Sequence, residues 1–219
     1  MKTSFILLPL LTVCTACAAP TVADQRPPDQ NDRATTASPA ELAGLSTAYF
    51  ASGCFWCVEE IFESVKGVKE VISGYSGGGM DNPSYYAVSD GNTGHAESVA
   101  IYYDPQVVSF ATLAQVFFSS HNPTTLNRQG PDAGSQYRSI AFYQTPEEET
   151  LLRAYINDLE KAHVFKAPII TEVAPFKKFW PAEQEHQNYV CRNPDASYVR
   201  SVSVPRFEEF KAQHPELVK

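Results

Sequence analysis

Residues 47–65 of the 219-residue chain read TAYFASGCFWCVEEIFESV. The apolar and β-prone residues up to Ser52 predict a buried strand, and Gly53 ends it. From Cys54 to Val65 apolar side chains recur at helical spacing between glutamates, which predicts a helix. The segment therefore predicts a strand that turns sharply into a helix, with Cys54 at the junction.

Apolar patterns on the C-terminal side of this junction predict the remaining elements. Strands are expected at 68–75, 97–103, 137–143 and 169–173, and helices at 82–90, 109–120 and 145–163. Ser109 and Thr145 are expected to cap two of these helices. Apart from the short helix at 82–90, the order up to 143 is strand, helix, strand, strand, helix, strand. That order predicts an α+β fold of the split βαβ, ferredoxin-like type: a mixed or antiparallel sheet with helices packed on it and an irregular C-terminal extension.

The N-terminal segment has the residue order of a secretory signal. Lys2 precedes an apolar run at 5–13 that is too short to span a bilayer, and small residues follow the run. We expect a lipoprotein-type signal over 1–17, which would leave Cys17 lipidated. The alternative is a plain signal peptide that is cleaved after Ala18 or Ala19. Both predict export to a bacterial periplasm.

Composition separates a linker from one folded domain. Residues 18–45 are poor in large apolar side chains, so we expect a disordered tether there. A compact domain over 46–195 and an extension over 196–219 follow, and no later segment resembles a membrane span. The net charge of −8 argues against a nucleic-acid partner. Because no later segment resembles a membrane span, membrane contact is expected only through a lipid on Cys17.

Cys54 has the sequence context of a reactive thiol. A cysteine at the start of a helix lies against unsatisfied N–H groups and the positive helix end, which favour the thiolate. Cys57 follows one helical turn later, and such a pair can come within disulfide range. A zinc site is poorly supported, because no second cysteine or histidine pair has ligand spacing. The pair therefore predicts nucleophilic or redox chemistry.

Polar and aromatic clusters precede two of the predicted strands and fill one loop. They are Gly94-His95-Ala96-Glu97, Asp132-Ala133-Gly134-Ser135-Gln136-Tyr137-Arg138 and Asn82-Pro83-Ser84-Tyr85-Tyr86. A carboxylate at the start of a strand is more often a solvated edge charge than a catalytic group. On this pattern alone, the role of Glu97 and Asp132 stays open.

Taken together, these runs resemble the peptide methionine sulfoxide reductase A family. The matching runs, in order, are GCFWCVE, NPSYYAV, DGNTGHAESV, QGPDAGSQYRS, TPEEE and HQNYVCRNP. They extend from about Ala48 to Pro194. The resemblance implies an enzyme that reduces methionine-S-sulfoxide, protein-bound and free, to methionine without a cofactor.

The resemblance also implies a role for each matching residue. Cys54 would attack the sulfoxide sulfur and become a sulfenic acid. Glu97 would be the acid, which requires a raised pKa, and Tyr85 and Tyr137 would hydrogen-bond the sulfoxide oxygen. The remaining matches concern substrate binding: Phe55 and Trp56 for the S-methyl group, and Asp132 as a polar residue near the site.

Recycling of the sulfenic acid needs a second thiol, and three routes are open. Residues 195–219 contain no cysteine, unlike the tails of many members of the family. Cys57 is the favoured resolving residue, Cys191 is the alternative, and direct reduction is the third route. A thioredoxin-like dithiol protein is the implied reductant, oxidised proteins or peptides are the implied substrates, and the enzyme is expected to be a monomer.

Two other functions fit parts of the sequence. A thioredoxin-like dithiol–disulfide oxidoreductase would also use Cys-x-x-Cys after a strand, but with a different strand order. An exported adaptor that binds peptides would use Phe55 and Trp56 and leave Cys54 and Glu97 without a role.

Overall fold

The computed structural model describes residues 41–219 together with Met1. The predicted signal segment 1–17 with Cys17, and most of the predicted tether 18–45, lie outside the described residues. Within the described part of the chain, no helix is both long and apolar enough to cross a membrane.

Helices and strands alternate from residue 46 to residue 119, and three strands then precede the next α-helix. In chain order they are β1 (Ser46–Ser52), α1 (Phe55–Glu63), β2 (Val68–Ser76), α2 (Tyr85–Ser89), β3 (Ala96–Tyr103), α3 (Phe110–Ser119), β4 (Arg128–Gln129), β5 (Asp132–Ala133), β6 (Ser139–Tyr143), α4 (Pro146–Lys161), β7 (Glu172–Pro175), β8 (Phe179–Pro181), α5 (Tyr189–Arg192) and α6 (Val204–Gln213). Single turns of 3₁₀-helix lie at Ser135–Tyr137 and Gln184–His186, and a π-helical turn lies at Val199–Ser203.

The main sheet has the strand order β7-β6-β1-β3-β2-β8. Its four middle strands pair antiparallel, and β3 lies between β1 and β2, which are joined through α1. This arrangement is the split βαβ, and the predicted α+β class is confirmed. At the edges β7 pairs parallel with β6, and β8 pairs antiparallel with β2.

The helices are held against the sheet by one apolar core. Phe50 of β1 stacks between Phe62 of α1 and Phe117 of α3, with ring centroids 5.7 and 4.8 Å away. The predicted caps are present: the Ser109 hydroxyl accepts from the Thr112 N–H, and the Thr145 hydroxyl accepts from the Glu148 N–H. These caps fix where α3 and α4 begin.

Two sequence-based expectations about the second half of the chain are wrong. The strand expected at 169–173 is β7, which begins at Glu172. Ile170 cannot join it, because its N–H donates to the Pro123 carbonyl instead of to a strand of the sheet. The extension is helical rather than irregular. Phe207 and Phe210, three residues apart on α6, pack on the core, and Phe210 is fully buried. The chain end is also fixed, because Val218 bridges to Val65.

Candidate active site

A cavity of about 220 Å³ opens at the start of α1. Its lining residues are Cys54, Phe55, Trp56, Tyr85, Glu97, Asp132, Tyr137 and Tyr198. Seven of these eight residues were singled out from the sequence. They come from six separate parts of the chain, so the fold rather than local sequence brings them together.

The turn at Gly53 places Cys54 at the floor of this cavity. Gly53 has φ +90°, and a Cβ there would lie 2.6 Å from Cβ of Gln129, so only glycine fits. Cys54 is the N-cap residue of α1, and its carbonyl accepts the N–H groups of Cys57 and Val58 at 3.2 and 3.3 Å. Its side chain is 6% exposed. The sulfur is therefore reached only through the cavity.

Burial and a mutual hydrogen bond shift the pKa values of the two cysteines in opposite directions. Burial, followed by the hydrogen bond with Cys57, raises the pKa of Cys54 well above its usual value. The hydrogen bond from Cys54, together with the charge of Arg206 and the Ser203 hydroxyl, lowers the pKa of Cys57 to about 6. At Cys54, burial therefore opposes the effect of the helix start, and the resting thiolate expected there stays a prediction. The two shifts make Cys57 the more acidic thiol of the pair.

Glu97 is a buried carboxyl group beside the nucleophile. It is 2% exposed, and its Oε2 accepts the Phe55 N–H at 3.0 Å. Burial raises the pKa of Glu97 to about 8, against the lowering effect of that hydrogen bond, and the Asp132 charge raises it further. Glu97 is therefore mostly protonated at neutral pH and can donate a proton into the cavity.

Tyr85 and Tyr137 present phenol groups to the same space. The Tyr85 N–H donates to Glu183 Oε1 at 2.9 Å, which fixes the start of α2. Tyr137 lies in the 3₁₀ turn that follows Gly134, rather than in the strand expected from 137. Burial raises the pKa of both phenols, so both remain hydrogen-bond donors at neutral pH.

Aromatic rings form the apolar wall. Trp56 stacks on Tyr189, with ring centroids 3.7 Å apart and an angle of 10° between the ring planes. Phe55 is fully buried against Trp56, and His186 stacks on Tyr85 at 4.3 Å. The wall is rigid, because each ring is held by another ring.

Sequence reasoning missed Tyr198, the eighth lining residue. Its hydroxyl donates to Asp132 Oδ2 at 2.6 Å, so Asp132 holds a third phenol at the cavity, beside those of Tyr85 and Tyr137. Tyr198 lies in the stretch that was expected to be irregular, just before the π-helical turn, where no periodicity identifies an inward-facing residue. Glu183 was also missed, because its role is to bind a backbone N–H.

Cys191 lies in α5 and is partly exposed. It is outside the cavity lining, whereas Cys57 follows Cys54 by one helical turn, with its Sγ 3.1 Å from the Ser203 Oγ. The structure therefore places Cys57 within hydrogen-bond distance of the Cys54 thiol, and Cys191 outside the cavity lining.

Comparison with known proteins gives a consistent result. The family model described as peptide methionine sulfoxide reductase matches residues 46–217. The peptide methionine sulfoxide reductase MsrA 2 of Synechocystis is 48% identical over 177 residues, covering 80% of this chain and 83% of that protein. MsrA of Natronomonas pharaonis is 46% identical over 173 residues, covering 79% and 97%.

Solved structures are similar as well. The methionine sulfoxide reductase A of Corynebacterium diphtheriae has a TM-score of 0.64 and 33% identity, covering 70% of this chain and 77% of that chain. Reduced Mxr1 of Saccharomyces cerevisiae has a TM-score of 0.65 and 31% identity, covering 73% and 90%.

Proposed function

Because this chain belongs to the peptide methionine sulfoxide reductase family, we propose that its cavity reduces methionine-S-sulfoxide with Cys54 as the nucleophile. The enzyme is a thiol-dependent oxidoreductase. The observation that carries the assignment of roles is the placement of Cys54 beside a buried, protonated Glu97 in a cavity with an aromatic wall.

The cavity fits the sulfoxide end of a methionine side chain. The S-methyl group would lie against Phe55 and Trp56, where apolar burial and sulfur–aromatic contacts favour it. The sulfoxide oxygen would then face the Tyr85 and Tyr137 hydroxyls. These donors stabilise the negative charge that grows on the oxygen as the sulfur is attacked.

Chemistry begins with movement of a proton between the cysteines. Cys57, which holds the negative charge, takes the proton of the Cys54 thiol, and the Cys54 thiolate attacks the sulfoxide sulfur. The attack forms a bond between the two sulfur atoms, and Glu97 protonates the sulfoxide oxygen. The oxygen then transfers to Cys54 as a hydroxyl group, while the sulfur–oxygen bond of the sulfoxide and the sulfur–sulfur bond both break. Sulfoxide and thiol thereby become thioether and sulfenic acid. The sulfoxide sulfur gains two electrons and Cys54 loses two, so no cofactor is needed.

Cys57 is the resolving thiol in this proposal. Its sulfur attacks the Cys54 sulfenic acid, the oxygen leaves as water, and a Cys54–Cys57 disulfide remains. Reaching disulfide distance requires only the first turn of α1 to adjust, whereas Cys191 would have to move into the cavity from α5. A thioredoxin-like dithiol protein then reduces the disulfide.

Export and a lipid anchor complete the proposal, and both rest on residues 1–17. Lipidation at Cys17 would place the enzyme at a membrane surface in an oxidising compartment, with a periplasmic dithiol protein as reductant. Labelling of the full chain with a radioactive fatty acid tests this. Label in the natural chain but not in Cys17→Ser supports the anchor, and equal labelling of both refutes it.

The activity is tested with separated epimers of methionine sulfoxide and excess dithiothreitol. We expect methionine from the S epimer only, no product with Cys54→Ser, and natural turnover with the matched control Cys191→Ser. Release from neither epimer by a protein whose Cys54 is reduced and reactive would contradict the proposal. Reduction of insulin disulfides by that same protein would favour a dithiol–disulfide oxidoreductase.

A further inference from the structure

The C-terminal segment from Tyr198 to Arg206 contacts the resolving cysteine directly. The Ser203 Oγ lies 3.1 Å from Cys57 Sγ, across 146 positions of sequence, and both residues are 1% exposed. Residues 195–219 contain no cysteine, so this segment supplies no thiol of its own. It instead supports the thiol that α1 supplies.

A π-helical turn makes this contact possible. Tyr198 and Ser203 are five residues apart, and in an α-helix they would point about 140° away from each other. The turn at Val199–Ser203 has the wider π geometry, in which backbone hydrogen bonds join residues five apart and bring them much closer to one face. Tyr198 therefore lines the cavity beside Cys54 while Ser203 reaches Cys57.

Arg206 lies one helical turn beyond Ser203, behind the Gly53 turn. Its Nε donates to the Ser120 carbonyl at 2.7 Å and its Nη2 to the Ser52 carbonyl at 3.0 Å. None of the ion pairs formed within residues 41–219 includes Arg206. Carbonyl groups fix the guanidinium but do not neutralise it, so its charge remains to stabilise a nearby anion.

Four titratable or charged groups face Cys57, each from a different part of the fold. They are Cys54 at the N-cap of α1, Glu97 of β3, Tyr198 before the π-helical turn and Arg206 of α6. Arg206 is the one cation among these four. The hydrogen bond from the Cys54 thiol is the main cause of the lowered pKa of Cys57. That thiol is consumed when Cys54 becomes a sulfenic acid. Arg206 and the Ser203 and Tyr198 hydroxyls remain for the second step.

We propose that Ser203 and Arg206 are positioning residues for the resolving step, which hold Cys57 as a thiolate aimed at the oxidised Cys54. This inference rests on the proposed function. After the first step Cys57 holds the proton taken from Cys54 and Glu97 has given up its own, so the proton of Cys57 first passes to Glu97 through solvent. The Cys57 thiolate then forms the sulfur–sulfur bond as the sulfur–oxygen bond of the sulfenic acid breaks. The oxygen takes a proton from Glu97 and leaves as water, and solvent reprotonates Glu97.

The thiolate can be titrated without any turnover. The Cys54→Ser protein mimics the loss of the Cys54 thiol, and the ultraviolet absorbance of the Cys57 thiolate is followed against pH, with Cys54→Ser/Cys57→Ser as the blank. Adding Arg206→Met is expected to raise the midpoint by about one pH unit, and Ser203→Ala by about half a unit. Arg206→Lys should restore most of the shift. Arg200→Met, an exposed arginine of the same turn, should leave the midpoint unchanged.

Equal midpoints for Arg206→Met and Arg200→Met would overturn the role of Arg206. If Arg206→Met does not fold, as judged by circular dichroism, the Ser203→Ala midpoint decides, and a value equal to that of the Cys54→Ser parent overturns the proposal. In proteins with Cys54 intact, single turnover separates methionine release from disulfide formation. The pH midpoint of disulfide formation should rise in Arg206→Met and stay in place in Arg200→Met. Failure of every variant and the natural chain to release methionine would instead refute the proposed function, and the titration would still stand.

Discussion

Replacing Glu97 with glutamine should stabilise the protein by an amount that grows with pH. The pKa of Glu97 is about 8 in the folded protein, against an ordinary value of 4.5. Below pH 4.5 the carboxyl is protonated in both states and adds no penalty. As pH rises from 4.5 to 8 the unfolded chain loses the proton and the folded protein retains it, so folding becomes progressively less favourable.

The size of the effect follows from the pKa difference. Each pKa unit corresponds to about 1.4 kcal/mol, which gives a penalty of about 1 kcal/mol at pH 5, 3 at pH 7 and close to 5 at pH 9. Glu97→Gln removes this titration, and its amide oxygen can still accept the Phe55 N–H. We therefore expect the free energy of unfolding of the variant, relative to the natural protein, to rise by about 4 kcal/mol between pH 5 and pH 9.

Urea unfolding at pH 5, 7 and 9, followed by circular dichroism, measures this difference directly. Glu59 is also buried with a raised pKa, but it is present in both proteins and cancels. Glu208→Gln, at an exposed carboxyl on α6, is the matched control and should show no such trend. A difference between Glu97→Gln and the natural protein that stays constant with pH would refute the reasoning that Glu97 is protonated because it is buried.

Three further predictions concern the site and its support. Glu97→Gln should lower single-turnover methionine formation at pH 7 by about 10²- to 10⁴-fold. It should also abolish the decline in rate that we expect for the natural protein above pH 8, where Glu97 loses its proton; released methionine is measured by chromatography, and a decline retained in the variant contradicts the role of Glu97 as the acid. Tyr137→Phe should lower kcat about 10- to 100-fold with little change in KM, because a hydroxyl that stabilises developing charge is lost, and an effect confined to KM would contradict this. Phe210→Ala should cost about 3–5 kcal/mol in urea unfolding, since Phe210 is fully buried, and a loss below 1 kcal/mol would show that α6 is not part of the core.

Much of the fold follows from local sequence rules. The strand, glycine and helix at 47–65 are correctly predicted, because alternating burial, a positive φ at Gly53 and helical periodicity all act locally. The strand order also follows, since few topologies satisfy that series of elements. The start of β7 does not follow, because it depends on hydrogen bonds with distant Pro123 and with β6.

The location of the site is predictable, but its electrostatics are not. The residues that the resemblance singles out do line one cavity. The pKa shifts of the cysteine pair could not be predicted, because they depend on how deeply Cys54 is buried and on the charge of Arg206, which is far from Cys57 in the sequence. Tyr198 and Ser203 were invisible for a related reason: a π-helical turn breaks the periodicity by which inward-facing residues are recognised.

The central claim is that Cys54 takes the oxygen from the sulfoxide. It is tested by one turnover of the Cys57→Ser/Cys191→Ser protein with methionine-S-sulfoxide, in the presence of a reagent that traps sulfenic acids, followed by peptide mass analysis. The account predicts one methionine released and one trapped adduct on Cys54 for each protein molecule. Methionine released in that amount with Cys54 unmodified would contradict it.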